Sequence, residues 1–314
     1  MFNVQCSTFN VVVLPLLFLI VSCGLRGSGD KPLSAEEMRL DRASHFDSTY
    51  IRTAIIPDSI GELSAEAWML VDDSTGMILG AKNADKRMYM ASLTKMMTCL
   101  LVLEHGNMGD SIEITEDVFL AKDSRVKLGD GYLLGNLLCE MMLQSDNDAA
   151  TALAKHIGGS VESFCALMNS KAAYLGMDST HFANPNGLPN DSNYSTARDL
   201  LVLTRYCMND SVFAGIVGAS FMDVPLIDGR HIACQNTNLL LENYEGCFGV
   251  KTGYTRQAGS CLASAAMRDD VRLFLILLNS RSRSSRFVES AAILDYGFHE
   301  MKSQHSNSSS ISGN

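Results

Sequence analysis

The chain is poor in the residues on which metal, redox and nucleotide chemistry are usually built. Its seven histidines (45, 105, 156, 181, 231, 299 and 305) are scattered, and none pair at the H-x-x-x-H spacing of a helical zinc site. H-E-x-x-H is absent, as are a Walker loop and the glycine signature of a dinucleotide fold. No G-x-S-x-G elbow is present, so an α/β-hydrolase triad has no support. No long basic run exists and the formal net charge is −10, which argues against a nucleic-acid partner. No repeat of solenoid period is found. The sequence therefore points to chemistry done by side chains alone, with no metal and no cofactor.

Nine cysteines are present, with no C-x-x-C and no regular framework. Cys99, Cys139 and Cys165 fall in apolar helical patterns, where a free thiol behaves as a small hydrophobe. Most are expected to be reduced core residues. The rest of the composition, 46% hydrophobic and 19% charged over 314 residues, suits a globular protein of one large domain or two lobes.

The only continuous apolar run of note is "VVVLPLLFLIV", residues 11–21, followed by Ser22-Cys23-Gly24. It falls short of the roughly 20 residues that span a bilayer. It has the length of a signal-peptide core with small residues at its end. "IVSC" resembles the lipobox of bacterial lipoproteins, in which the cysteine is acylated and becomes the mature N-terminus. Ile20 stands where leucine is commoner, and residues 1–10 carry no lysine or arginine. The expectation is a lipoprotein-type signal over 1–22 with Cys23 lipidated; a plain secretory signal is the other reading.

Residues 23–60 are polar and mixed and read as a tether. "AEAWMLVDDSTGMILGAKN" reads as strand, turn, strand, with Asp72-Asp73-Ser74-Thr75-Gly76 supplying the turn. A helix is predicted over 92–104 and a short strand at "DSIEITE". Further helices are predicted over 133–143, 147–158, 160–175 and 196–208. "FANPNGLPNDSNYS" reads as a structured loop. Strands follow at 231–235, 247–251, 260–267 and 271–278, then a helix over 283–296. Strands at both ends of the chain with helices between them predict an α+β fold: one sheet completed by distant segments, plus a helical lobe. The catalytic domain is placed at 61–302, and the serine-rich tail, 303–314, is expected to be disordered.

Three short motifs matter together more than singly. "ASLTK" sets Ser92 three residues before Lys95 at the head of an apolar helix, although Ser28/Lys31 and Ser124/Lys127 match the same spacing. "QSDND" sets Ser145 and Asn147 at a second helix head, where the bland role of Ser145 is a cap. "GVKTGY" puts Lys251, Thr252 and Gly253 at the end of a β segment, followed by Tyr254. A serine hydroxyl is a poor nucleophile until a base takes its proton. Ser92 and Lys95 lie on one helix face, and lysine serves as a base once burial or a second cation lowers its pKa.

On these motifs the chain resembles serine-type D-alanyl-D-alanine carboxypeptidases, the low-molecular-mass penicillin-binding proteins. The likeness runs from about Ala65 to Phe298 and includes "VDDSTGMILGAKNADKRMYMASLTKMMT", "SDNDAATALAKHIGG", "MNSKAAYLGMDSTHFANPNGLPN" and "GVKTGYTRQAGSCLASA". The resemblance implies the fold of β-lactamases and DD-peptidases: an antiparallel five-stranded sheet flanked by helices, an all-helical lobe, and an active site in the cleft between them. It implies Ser92 as nucleophile, Lys95 as its base with Lys251 as the second cation, and Ser145 as proton relay. It implies the N–H groups of Ser92 and Tyr254 as the oxyanion hole, and Asn147 as the holder of the substrate's amide. Lys251, Thr252 and Gly253 would line the site of the terminal carboxylate. Arg286, rather than Arg281 or Arg283, would bind that carboxylate. The substrate would be a peptidoglycan stem peptide ending in D-Ala-D-Ala, with β-lactams as inhibitors.

The same motifs occur in class A β-lactamases, which also need a glutamate in the loop after S-D-N to activate the deacylating water. No glutamate lies between Glu162 and Glu242, so rapid penicillin hydrolysis is not expected. Endopeptidase action on D-alanyl cross-links would be the same acyl transfer with a larger leaving group. A non-catalytic wall-binding role would be favoured by decay of a motif, and all three are intact. Larger family members continue into a C-terminal β domain and often a membrane helix; neither follows Phe298, which directs the expected anchor to Cys23. Cys23→Ser is then expected to abolish detergent-phase partitioning and the lipid mass increment, and unchanged partitioning would leave the plain secretory signal.

Overall fold

The computed structural model describes residues 62–119 and 124–311. The signal segment, Cys23 and the tether lie outside the described residues. The chain enters the fold through β1 (Ala67–Asp72) and β2 (Ile78–Lys82), an antiparallel pair joined by a turn in which Asp72 accepts hydrogen bonds from Ser74 and Thr75. A 3-10 turn, Ala91–Thr94, leads into α1 (Lys95–His105). The helical lobe continues with α2 (Leu134–Gln144), α3 (Asn147–Gly158), α4 (Val161–Leu175), α5 (Ala197–Cys207) and α6 (Ser211–Gly218). Two small antiparallel ribbons attach to it: β3 (Ser111–Glu113) with β4 (Gly131–Leu133), and β5 (Phe221–Pro225) with β6 (His231–Gln235). After the short α7 (Leu240–Asn243) come β7 (Cys247–Thr255), β8 (Gly259–Arg268), β9 (Val271–Ser280) and the long α8 (Ser285–Ile311).

The principal sheet has five antiparallel strands in the order β2-β1-β9-β8-β7, so the first and last strands of the chain meet at its centre. This is the predicted sheet. β1 and β9 are apolar on both faces because both faces are covered. Alternation divides them: Met69, Val71, Phe274 and Ile276 face the helical lobe, while Trp68, Leu70, Leu275 and Leu277 join Ile293 and Leu294 of α8.

Several expectations are corrected. The main-chain helix does not begin at Ser92; Ser92 lies in the 3-10 turn and α1 starts at Lys95. The 231–235 strand pairs only with β5, outside the main sheet. Lys251, Thr252 and Gly253 lie within a nine-residue strand rather than at its end. The last helix, predicted over 283–296, runs from Ser285 to Ile311, since a helix already nucleated by packing on the sheet extends at little cost per residue. β4, α6, β5 and α7 are elements that the sequence pattern does not announce. The seven described cysteines are free and mostly buried, as expected.

The loop before α5 is seated against the 3-10 turn at one glycine. Gly187 has φ +85°, and a Cβ there would come 2.0 Å from the Ala91 carbonyl oxygen. Gly187→Ala is expected to cost at least about 1–3 kcal/mol of stability in urea unfolding, from the left-handed backbone alone. An unchanged unfolding midpoint would show that the loop is free to move off Ala91.

Candidate active site

Ser92 is presented by a strained turn. Ala91, immediately before it, has φ 48°, a conformation that costs a non-glycine residue and needs enforcement by its surroundings. Enforcement comes from two glycines. Gly187 meets the Ala91 carbonyl, and Gly253 lets β7 approach so closely that a Cβ there would lie 3.0 Å from Met90 O and 3.2 Å from Ser92 N. The N–H of Ser92 is thereby brought beside the strand that carries Tyr254.

Lys95, one turn later, is wholly buried. Its Nζ lies 3.2 Å from Ser92 Oγ, 2.8 Å from Asn147 Oδ1 and 2.6 Å from the Asn186 carbonyl oxygen. The last two can only accept. A neutral amine has two N–H bonds for them and one lone pair, which is then directed to the Ser92 hydroxyl. Burial lowers the Lys95 pKa to about 7, against the opposing pull of Asp146 and Glu140.

Asn147 is fixed by its neighbour. Asp146, not Ser145, caps α3, accepting from the N–H groups of Asp148 and Ala149 at 2.9 and 3.0 Å. It also accepts from Ser124 Oγ and from Arg125 N at 2.7 Å. Ser145 ends α2 in the left-handed region, φ 63°, and its hydroxyl has no hydrogen-bond partner among the described residues. The bland capping role therefore falls to Asp146.

Across the cleft, Lys251 is buried, and burial, with the Lys95 and Arg286 charges behind it, holds its pKa well below the ordinary lysine range. Burial lowers the pKa of both amines, and the repulsion between them disfavours holding both protonated at once. Thr252 Oγ1 pairs with Thr237 Oγ1 at 2.6 Å. Arg286 reaches over from α8 and donates Nη1–H to Gly253 O at 3.0 Å; its Nε is buried with no partner among the described residues. Burial lowers its pKa to about 10, so it stays charged. Arg286 Nε thus holds a donor that the described residues do not satisfy, and Lys251 Nζ has one long bond, 3.4 Å, to Thr252 O, which leaves donors for an anion.

The motif residues Ser92, Lys95 and Asn147 are joined by hydrogen bonds; Gly253 and Arg286 are joined by another. Ser145 is bonded to none of them. Three participants carried no sequence signal of their own. Asn186 contributes a main-chain carbonyl from "NPNG", where the turn chemistry gave the loop but not its target. Thr237 sits in "QNTNL", outside any motif. Glu140 lies in an apolar helix with neither carboxyl oxygen hydrogen-bonded among the described residues, and burial followed by Asp146 raises its pKa to about 9.

Residues 53–282 match the Peptidase_S11 family, D-alanyl-D-alanine carboxypeptidase. The chain is 31% identical over 241 residues to D-alanyl-D-alanine carboxypeptidase DacF of Bacillus subtilis (strain 168), covering 74% of this chain and 62% of that one. It is 33% identical over 265 residues to the D-alanyl-D-alanine carboxypeptidase of Streptomyces sp. (strain K15), covering 78% and 90%. The crystal structure of the Streptomyces K15 DD-transpeptidase superposes with a TM-score of 0.72 at 32% identity, over 76% of this chain and 98% of that chain. A D-alanyl-D-alanine carboxypeptidase from Mycobacterium tuberculosis H37Rv gives 0.72 at 30% identity, over 79% and 95%. The chain thus spans somewhat under two thirds of the DacF relative's length.

The Lys95 geometry makes a pH prediction. Only the neutral amine can take the Ser92 proton, so acylation of Ser92 by benzylpenicillin should rise with pH through a midpoint near 7 and level off above it. Lys95→Arg, which cannot deprotonate, should slow acylation about 10²–10⁴-fold. A rate that is flat from pH 5 to 9 would remove Lys95 from the base role.

Proposed function

The chain belongs to the D-alanyl-D-alanine carboxypeptidase family, and from that premise we propose that it removes the terminal D-alanine from peptidoglycan stem peptides through an acyl-Ser92 intermediate. The observation that carries the reading is the placement of Lys95 Nζ 3.2 Å from Ser92 Oγ with two acceptors on its other side, which in the neutral amine leaves the lone pair for the hydroxyl.

In the first step Lys95 takes the hydroxyl proton as Ser92 Oγ attacks the carbonyl of the penultimate D-alanine. The developing oxyanion lies between the N–H groups of Ser92 and Tyr254; losing one such donor typically costs about 3–4 kcal/mol of transition-state stabilisation. The terminal carboxylate sits against Thr252, Lys251 and Arg286, and its negative charge favours the protonated form of Lys251. Asn147 holds the peptide's amide. Collapse breaks the C–N bond, and the proton held by Lys95 reaches the leaving amine through the Ser145 hydroxyl. Water then attacks the ester, its proton passing back to Lys95, and Ser92 is regenerated.

A free terminal carboxylate facing a buried arginine explains why the last bond is the one cut. Removing the terminal residue deprives a stem peptide of a cross-linking donor, so the enzyme limits how cross-linked the wall becomes. Export to the cell envelope follows from this substrate, with anchoring through lipidated Cys23. β-Lactams acylate Ser92 and leave slowly, because the loop after S-D-N has no glutamate to activate water.

Intact-protein mass after brief exposure to benzylpenicillin tests this. The wild type should carry an adduct lasting for hours and Ser92→Ala none. Loss of the adduct within seconds would identify a β-lactamase, and absence of any adduct a non-catalytic binder.

A further inference from the structure

Beside the carboxylate site stands a pair that the reaction above leaves unused. β7 alternates, so the side chain of Tyr254, two residues after Thr252, is on the same face of the strand. Thr252 is one of the residues assigned to the terminal carboxylate, so the ring stands beside that position on the strand. The Tyr254 ring is 49% exposed. The Arg283 guanidinium lies 4.7 Å from its centroid, within cation–π range.

Arg283 is itself exposed, and among the described residues it has neither a carboxylate nor a hydrogen-bond partner; the ring is what holds it. Its backbone is placed by the turn into α8, where Ser282 Oγ accepts from Ser285 N at 2.9 Å. One residue into α8, Arg286 donates to Gly253 O, tying the same turn to β7. The plate formed by ring and guanidinium is therefore fixed at both ends beside the place where the leaving residue must lie.

We propose that the Tyr254–Arg283 stack is the outer wall of the terminal-residue subsite and confines the enzyme to peptides that end there with a free carboxylate. This rests on the carboxypeptidase reading and decides between that activity and cleavage of cross-linked peptides. A chain continuing past the leaving residue runs into the plate and offers an uncharged amide to a positively charged rim. A free carboxylate fits the enclosed space and gains a second guanidinium near it. Tyr254 and Arg283 are specificity residues in this account; the proton transfers belong to Lys95 and Ser145.

The test compares kcat/KM for two acylated peptides, one ending in D-Ala-D-Ala as the free acid and the other extended by a glycine. The wild type should strongly prefer the free acid. Arg283→Ala should raise the ratio of extended to free-acid cleavage by about tenfold or more, the scale on which pocket contacts discriminate substrates. Arg283→Lys, which keeps a cation for the ring, should fall between. Full-yield labelling of both variants by benzylpenicillin would establish that they are folded. An unchanged ratio in fully labelled Arg283→Ala would overturn the wall while leaving the carboxypeptidase reading intact; a wild type that cleaves both peptides equally well would overturn the wall and the requirement for a free carboxylate together. A wild type that cleaves neither would overturn the carboxypeptidase reading and the wall with it.

Discussion

The site depends on one buried amine. Lys95 has no exposed surface, and a lysine held there as an ammonium would carry a heavy desolvation cost. The neutral form avoids most of that cost, and two carbonyl-type acceptors fix its orientation. Each acceptor comes from a different part of the chain: Asn147 from the head of α3 and Asn186 from the loop before α5. The capping of α3 by Asp146 and the bond from Thr98 Oγ1 to Pro185 O at 2.6 Å are supports for those two acceptors. Disturbing either would turn the lone pair away from Ser92 without touching Ser92 itself.

The second constraint is the approach of β7 to the 3-10 turn. The five-stranded sheet is rigid because the chain's first and last strands share its centre and both faces are covered. A rigid strand can be brought to within a Cβ's width of Ser92 N only if Gly253 lacks that Cβ. Such rigidity also sustains the strained backbone at Ala91 and Ser145, since strain of this kind persists only where surroundings over-determine it. One stands immediately before Ser92, and the other is Ser145, whose hydroxyl has no partner among the described residues.

What could be read in the sequence was what is local or periodic. Turn residues between apolar runs gave β1 and β2, and the S-x-x-K, S-x-N and K-T-G motifs marked Ser92, Asn147 and Lys251. Non-local placement was not legible. Asn186 acts through its main chain, so its residue type says nothing of the bond it accepts. Thr237 is paired with Thr252 only because α7 and β7 fold back together. The continuation of α8 through a serine-rich tail escaped because composition reports propensity, while the packed first turns of that helix had already met the nucleation cost. The cap falls to Asp146 rather than Ser145 for a similar reason: both are good caps, and backbone geometry alone selects between them.

Glu140 gives the electrostatics a further step. Two acids, Asp146 and Glu140, lie within electrostatic reach of Lys95, and either raises its pKa when ionised. They are treated oppositely. Asp146 accepts from three backbone N–H groups and from the Ser124 hydroxyl. Glu140 receives no donor among the described residues and is kept protonated by burial, with a pKa of about 9. While protonated it adds no charge that would favour the Lys95 ammonium, so the burial of Glu140 acts in the same direction as the desolvation of Lys95.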